Sequence, residues 1–159
     1  MTRKQLNPWA KEATWHMIAG CSVAWVASEH PESVSIAMKW IQSPKKRIAI
    51  AGWSTLSSVV AVQPDEELPI SEFGALLDRC VKSKGTSPNR VRSSMNSFII
   101  SVGTYIAPLA DQAISTARKI GIVEVDVDNT DCKIPDPESY IKKCRRGVDV
   151  APKRKTIRC

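Results

Sequence analysis

The sequence predicts an all-α fold in which helices pair into an α-α superhelix. Three observations predict it: apolar residues recur at helical spacing through the first 120 residues, prolines stand where first helical turns tolerate them, and two long helices open with the same Ser-Pro pair. A length of 159 residues with 43% hydrophobic residues allows one domain with a packed core. This composition excludes a second large domain, wholesale disorder and a collagen-like or disulfide-scaffold class.

Prolines and apolar stripes predict six helices in chain order. Four prolines each mark an expected helix start, in the pairs Asn7-Pro8, His30-Pro31, Ser43-Pro44 and Ser87-Pro88. The predicted helices span residues 8–28, 31–42, 44–62, 70–84, 88–107 and 109–120. In the third helix, Ile48, Leu56 and Val59 fall on one apolar stripe, as expected for a helix that packs against neighbours.

The two Ser-Pro pairs indicate a repeat. Ser43-Pro44 and Ser87-Pro88 are 44 residues apart, and each opens a long apolar helix that follows a shorter amphipathic one. A period of about 40 to 47 residues with two helices per unit is typical of HEAT-like and armadillo-like arrays, in which each pair buries its apolar face against its neighbours. About three such pairs fit before residue 121. An irregular bundle of six helices is the alternative.

The residues beyond 121 form a different segment. The alternation over 122–127 predicts a short strand or an extended stretch, and the acidic turn over 126–131 lacks the glycine and glutamate of a calcium loop, which favours a capping and turn role. A short helix is expected over 137–143, stopped by Gly147. We therefore divide the chain into helical repeats over 1–121 and a C-terminal extension over 122–159, with a short helix and a basic tail.

Basic charge is concentrated in the last 18 residues. The chain has a net charge of +7, and residues 142–159 alone hold eight basic residues against one acidic residue. Residues 1–141 hold 15 of each and are electrically balanced. Nucleic acid is the natural partner of such an extension, and DNA held through its phosphates is the partner we predict. A solvated solubility tail or an address signal is the alternative.

Cysteine usage and hydropathy indicate a cytoplasmic protein. The five cysteines are odd in number, widely spaced and without a C-x-x-C pair, which favours a reducing compartment. His16 and His30 form no compact ligand pair with them, so we predict neither a metal site nor a cofactor. No apolar run reaches the ~18 residues of a membrane span, and the first residues lack a secretory signal, so no membrane partner is expected.

The openings of the two long helices carry the candidate phosphate-binding side chains. These are Lys45, Lys46, Arg47, Arg90 and Arg92. Cations in a first turn oppose the helix dipole, so another interaction is expected to compensate. In a stacked array, equivalent positions align on one edge and, with the free N–H groups of the helix starts, form a track for a phosphate backbone. A solvated charge cluster is the alternative; the tail residues Lys153, Arg154 and Lys155 complete the predicted nucleic-acid-binding set.

Motifs of common enzymes are absent, and aromatic residues are concentrated near the start. The sequence contains no G-x-G-x-x-G, P-loop or G-x-S-x-G motif. All five tryptophans lie within the first 53 residues. Tryptophan stacks on nucleobases or on a cationic alkylated base, although Trp40 and Trp53 fall in apolar stripes and are expected in the core. Glu12, close to Trp15, gives the one candidate catalytic pair.

Several short motifs occur in order along the chain, densest from Trp53 onward. They are Gly52-Trp53-Ser54-Thr55-Leu56, Pro64-Asp65-Glu66-Glu67-Leu68, Pro88-Asn89-Arg90-Val91-Arg92, Ile120-Gly121-Ile122-Val123-Glu124, Cys132-Lys133-Ile134-Pro135, Tyr140-Ile141-Lys142-Lys143 and Lys153-Arg154-Lys155-Thr156. The set resembles the DNA alkylation repair family of AlkD-like proteins, in the HEAT-like repeat DNA glycosylase superfamily, as a short variant.

This resemblance implies HEAT-like helical pairs curved around duplex DNA. In active members of the family, tryptophans and an aspartate surround a cationic alkylated nucleoside, and the carboxylate stabilises positive charge as the glycosidic bond breaks. Trp15 matches the tryptophan of the W-x-x-x-D motif, but Ala19 stands where the aspartate is expected. The family's arginine near the next long helix falls at Ala49 or Ile50, with Arg47 the closest basic residue. The resemblance also implies that an amino-terminal repeat is lacking.

The combined prediction is a DNA-binding protein of the DNA alkylation repair family. One hypothesis adds a DNA glycosylase activity that excises cationic alkylated purines, for which Trp15 and Glu12 are the candidate residues. The alternative is a non-catalytic HEAT-like scaffold that binds a protein partner on the same surface. The sequence leaves open whether two copies form a homodimer.

Overall fold

The computed structural model describes residues 1–126 and 133–157, and the regular structure in this part of the chain is helical. The helices in chain order are α1 Arg3–Glu12, a π-helical segment Ile18–Val23 that continues into α2 Ala24–Ser28, α3 Ser33–Trp40, α4 Lys46–Val62, α5 Ile70–Ser83, α6 Asn89–Tyr105, α7 Ala110–Ile120 and α8 Pro137–Arg145. Two short 3-10 turns at Asp65–Glu67 and Ala107–Leu109 precede α5 and α7.

The helices form a two-layered array with α4 and α6 at its centre. α4 packs along α3, α2 and α6, and α6 packs along α7 and α8. α5 packs along α7 in the other layer. The starts of α4 and α6 line one cavity and their last turns bind one carboxyl-terminal segment, so the two helices run parallel. Paired helices whose second members stack in parallel confirm the predicted all-α superhelix.

The predicted helix over 8–28 is two helices, which is a correction. α1 starts at Arg3 because the Gln5 side chain accepts a hydrogen bond from the backbone N–H of Thr2 at 2.9 Å, a capping-box contact that the proline-based prediction missed. Pro8 consequently lies inside α1 rather than at its start. The Asn7 side chain accepts a hydrogen bond from Trp40 Nε1 at 2.9 Å and thereby joins α1 to α3 instead of capping a helix.

The aromatic core lies between α4, α5 and α6. The ring of Phe98 is 5.3 Å from that of Trp53 and 5.8 Å from that of Phe73, centroid to centroid. Trp40 and Trp53 are both buried, as their apolar stripes predict. α3 and α4 approach so closely that a Cβ atom on Gly52 would stand 2.8 Å from the backbone nitrogen of Ile41. The sequence therefore needs glycine at this crossing.

α8 extends the array beyond the six predicted helices. The predicted helix over 137–143 forms and runs two residues further, with Asp136 as N-cap: its side chain accepts a hydrogen bond from the Ser139 N–H at 2.8 Å. Ile141 is fully buried, and its side chain occupies the space beside Gly103 of α6, with Ala113 of α7 on the same side of that glycine. α8 thus packs against α6 and α7, and its Ile141 belongs to the same hydrophobic core as the preceding helices.

The segment between α7 and α8 is tied to the start of α6. Residues 122–126 form no strand. Instead, the Asn89 side-chain amide donates to the Asp126 carbonyl at 2.7 Å, and its oxygen accepts from the Asp126 N–H at 2.8 Å. The rest of the predicted alternating segment and its acidic turn lie outside the described residues.

Within the described ranges, no single helix is both long and apolar enough to span a membrane. α6 and the helical stretch 107–120 satisfy that length and composition only when taken together, and they are bent by 115° relative to each other.

Candidate nucleic-acid interface

The openings of α4 and α6 lie side by side. A cavity of about 170 Å³ separates them, lined by Lys46 and Trp53 from α4, by Pro88 and Val91 from α6, and by Arg79 from α5. The two Ser-Pro pairs that mark the repeat in the sequence therefore meet at one edge of the molecule. We call this the amino-terminal edge, defined by Lys45, Lys46, Arg47, Arg90 and Arg92.

The first-turn N–H groups of both helices also lie at the amino-terminal edge. Lys45 holds the N-cap position of α4 and Pro88 that of α6. Neither side chain has a hydrogen-bond acceptor, so neither can cap the helix in the usual way. Ser43 Oγ accepts the N–H of Lys45 at 3.2 Å, which orders the turn that leads into α4. Backbone donors and the positive ends of two helix dipoles thus lie among the cations.

The five predicted cations differ in exposure. Lys45, Lys46 and Arg47 are exposed, whereas Arg90 and Arg92 are half-buried. Arg92 Nη2 donates to Asn89 Oδ1 at 3.4 Å, and the side chain lines a small cavity between α5, α6 and α7. The structure therefore exposes Lys45, Lys46 and Arg47 at the amino-terminal edge, whereas the side chain of Arg92 begins there and lines the neighbouring cavity between α5, α6 and α7.

Arg79 is a member of this site that sequence reasoning missed. Its Nη2 donates to the Ile41 carbonyl at 2.8 Å, and its guanidinium carbon is 5.5 Å from the centroid of the Trp53 ring. The guanidinium therefore lies at the wall of the cavity between the two helix openings, in a cation–π contact with Trp53. The only sequence signal was a basic residue next to the apolar stripe of the 70–84 helix.

The thiol of Cys80 lies buried beneath this region. Burial raises the pKa of Cys80 to about 12, and the charge of Arg79 offsets part of that rise. A buried thiol that stays protonated is a packing residue rather than a nucleophile.

The basic tail lies at the opposite ends of the helices. Lys153 Nζ donates to the Val60 carbonyl at 2.9 Å and pairs with Asp65 Oδ1 at 2.8 Å, and the Arg154 N–H donates to the Ala61 carbonyl at 2.7 Å. These carbonyls belong to the last turn of α4, where the negative end of the helix dipole also stabilises nearby cations. The structure thus separates Lys153, Arg154 and Lys155 from the amino-terminal edge by the length of α4, roughly 24 Å.

The two predicted catalytic residues, Glu12 and Trp15, are both exposed and lie in different local environments. Glu12 lines an open groove between α1 and α3 together with Lys11 and Lys39. Trp15 lies in the break between α1 and the π segment, is 58% exposed, and its ring is 5.3 Å from that of His16. Ala19 is fully buried. Position 19 therefore contributes a methyl group to the core rather than a carboxylate to a surface.

Metal ligands are not assembled in the part of the chain that the structure describes. Among residues 1–126 and 133–157, no three His, Cys, Asp or Glu side chains converge as a cation site would require.

Comparison with known proteins identifies relatives. No family model matches the chain. The uncharacterized protein Lin0241 of Listeria innocua is 34% identical over 151 residues, which cover 94% of this chain and 64% of that protein. The uncharacterized protein Lmo0209 of Listeria monocytogenes is 33% identical over 147 residues, which cover 91% of this chain and 62% of that protein. The chain thus spans less than two thirds of the length of either relative.

One solved structure is similar to this chain in both fold and sequence. It is described as a new family of proteins related to the HEAT-like repeat DNA glycosylases with affinity for branched DNA structures. The two structures superpose with a TM-score of 0.90 at 30% sequence identity, over 100% of this chain and 68% of that one. This match confirms the HEAT-like fold and the family resemblance predicted from the sequence motifs. The chain belongs to the family of proteins related to the HEAT-like repeat DNA glycosylases.

Proposed function

We propose that this protein binds DNA through its phosphates along the amino-terminal edge. The observation that carries the proposal is the parallel packing of α4 and α6, which brings their cationic first turns to a shared edge. Phosphate oxygens accept hydrogen bonds from helix-start N–H groups and pair with lysine and arginine, so one ligand satisfies both features. Arg79 adds a further positive charge at the wall of the cavity between the helices.

We further propose that branched DNA is preferred over a plain duplex. The solved relative is described as having affinity for branched DNA, and its fold covers the whole of this chain. Contacts to phosphates carry no sequence information, so a surface of this kind selects DNA by the path of its backbones rather than by its bases. A junction presents phosphates from two arms at one place, which suits an edge built from two helix openings.

The test is fluorescence anisotropy with the full chain over a salt series, using a plain duplex and a four-way junction of equal length. Each phosphate contact contributes about 0.9 to the slope of log K against log salt concentration. We expect Lys46→Gln and Arg47→Gln each to lower that slope by about one on both DNAs. Lys4→Gln is the matched control, because Lys4 is an exposed lysine in the first turn of α1, a turn whose Arg3 pairs with Glu32 at 3.8 Å and not with a residue of the edge.

Failure of the full chain to bind either DNA near physiological salt would overturn the proposal. The protein-binding scaffold would then be the better interpretation of the same surface. An unchanged salt slope in both edge variants, with binding retained, would place the DNA elsewhere on the molecule.

Base excision stays a prediction from the family resemblance. Position 19, where the family's aspartate is expected, is a buried alanine, so no carboxylate stands there to stabilise positive charge. Release of N7-methylguanine from methylated duplex DNA, followed over time with the full chain, tests it directly. Loss of release in Trp15→Ala or Glu12→Gln would assign those residues. The cytoplasmic location and a homodimer likewise remain predictions.

A further inference from the structure

A second concave surface lies at the carboxyl ends of α6 and α8, away from the amino-terminal edge. It is an open pocket of about 600 Å³. Its walls come from α6, α8 and the chain that follows α8, and include Tyr105, Tyr140, Lys143, Arg146, Val148 and Pro152. We call this the tyrosine pocket.

The walls of the tyrosine pocket are fixed by the main chain of α6. Arg145 directs its Nε and Nη2 to the Gly103 carbonyl at 2.8 and 2.6 Å, which holds the end of α8 against the end of α6. The chain then reverses through left-handed backbone at Arg146, φ 52°, and Gly147, φ 87°. The Ala151 N–H donates to the Thr104 carbonyl at 2.8 Å and closes the loop. The pocket is therefore already shaped before any ligand arrives.

The pocket combines an aromatic face with positive charge. Tyr140 is 41% exposed and Val148 is 52% exposed, so both side chains present apolar surface to solvent at the pocket. Lys143 Nζ lies 5.7 Å from the centroid of the Tyr140 ring. Arg146 is exposed at the turn. Aromatic rings that stack on bases, beside cations that follow the backbone, are the usual components of a surface for unpaired nucleotides.

The tyrosine pocket and the amino-terminal edge lie at the two ends of α6. Arg90 and Tyr105 are separated by 15 residues of that helix, about 22 Å. Between them the outer side of α6 carries Ser93, Ser97 and Ser101, spaced one turn apart. These side chains are small hydroxyls, so α6 itself places no bulky side chain along this line. A strand that leaves a duplex held at the edge can therefore reach the pocket.

We propose that the tyrosine pocket binds an unpaired nucleotide of branched DNA, with its base stacked on Tyr140 and its phosphate paired with Lys143 and Arg146. This inference rests on the DNA binding proposed above and names the part of a branched substrate that the carboxyl-terminal segment takes. Paired bases in a plain duplex are stacked on each other and cannot enter the pocket, so the pocket adds affinity only where a branch supplies unpaired nucleotides.

The experiment compares three DNAs by anisotropy: a forked duplex with one single-stranded thymidine arm, a fully paired four-way junction, and a plain duplex. We expect Tyr140→Ala to weaken binding of the forked duplex by about 5- to 140-fold, the range of one base–aromatic stack, and to leave binding of the other two DNAs unchanged. Tyr140→Phe, which keeps the ring, is the matched control and should bind the fork as the natural protein does. Because Tyr140 is exposed, thermal unfolding of both variants should match that of the natural chain.

A direct readout of stacking accompanies the affinities. We expect 2-aminopurine placed in the unpaired arm to lose fluorescence when the natural protein binds, and to keep it with Tyr140→Ala. If Tyr140→Ala weakens binding of all three DNAs equally, or leaves binding of the forked duplex unchanged, the proposed role of the tyrosine pocket is overturned while the proposed DNA binding stands. Absence of binding to every DNA by the natural protein would overturn both proposals.

Discussion

Replacing Gly52 with alanine tests the close crossing of α3 and α4. A Cβ atom there would stand 2.8 Å from the backbone nitrogen of Ile41, 2.9 Å from Ile41 Cγ2 and 2.9 Å from the Cβ of Trp40. Carbon atoms in ordinary contact are about 3.5 to 4.0 Å apart. Neither a backbone nitrogen nor a Cβ can rotate away, so α3 itself has to shift. Overpacking of this kind costs about 1 to 3 kcal/mol.

The net effect follows from two opposing contributions. Alanine in a helix interior gains about 1 kcal/mol over glycine from propensity. With the packing cost near the upper end of its range, because the contact is with main chain, the free energy of unfolding should fall by about 2 kcal/mol. For a denaturant slope of about 2 kcal/mol per molar urea, this lowers the unfolding midpoint by about 1 M.

The matched control is Gly85→Ala, in the turn that follows α5. A Cβ there meets no atom within 4 Å, and the residue is not in the left-handed region of backbone conformation. We expect the control to keep or gain stability, by about 0.4 to 1 kcal/mol, because alanine restricts the unfolded chain. Urea titrations followed by tryptophan fluorescence compare the two variants. A midpoint for Gly52→Ala at or above that of the natural protein would refute the crossing distance on which the argument rests.

Two further predictions concern the tail and the buried thiol. Lys153→Met keeps the apolar stem but removes the ammonium group that contacts the Val60 carbonyl and Asp65. We therefore expect the free energy of unfolding to fall by about 1 kcal/mol, while the salt slope of duplex binding stays unchanged. A salt slope lowered by about one, with unchanged stability, would instead make Lys153 a phosphate ligand. Because burial raises the pKa of Cys80 from 9.0 to about 12, the unfolded chain releases the thiol proton first, and stability should be lost as the pH rises above about 9. Cys80→Ala should remove that part of the loss, as urea midpoints from pH 7.5 to 10.5 would reveal; parallel curves for the two proteins would contradict it.

Much of the fold was readable from local pattern. The predicted helices over 44–62 and 70–84 differ by at most two residues at either end from α4 and α5, because proline and apolar spacing act within a few residues of each boundary. The break between α1 and α2 was missed because residues 13–15 contain neither proline nor glycine. There the chain bends to pack α1 against α3 through Asn7 and Trp40, a contact that joins residues 33 positions apart.

The candidate site was only partly readable, for a related reason. The charge pattern of the sequence located the cations of the helix openings and of the tail, and from it we predicted that the tail is an extension separate from the helical array. The structure instead uses Arg145 and Lys153 as hydrogen-bond donors to helix-end carbonyls, and Lys153 and Val60 are 93 residues apart. No local pattern records such partners. The same holds for Arg79, which is positioned at the site by a cation–π contact with Trp53 on another helix.

The binding of residues 145–154 to the last turns of α4 and α6 has a consequence for the order of folding. During synthesis both helices leave the ribosome before that segment exists, so the carbonyls of Val60, Ala61 and Gly103 initially face water. Their partners are made 42 residues later for Gly103 and 93 residues later for Val60. Docking of the segment therefore follows the formation of α4 and α6, and because it joins residues far apart in sequence, it is among the slower contacts to form.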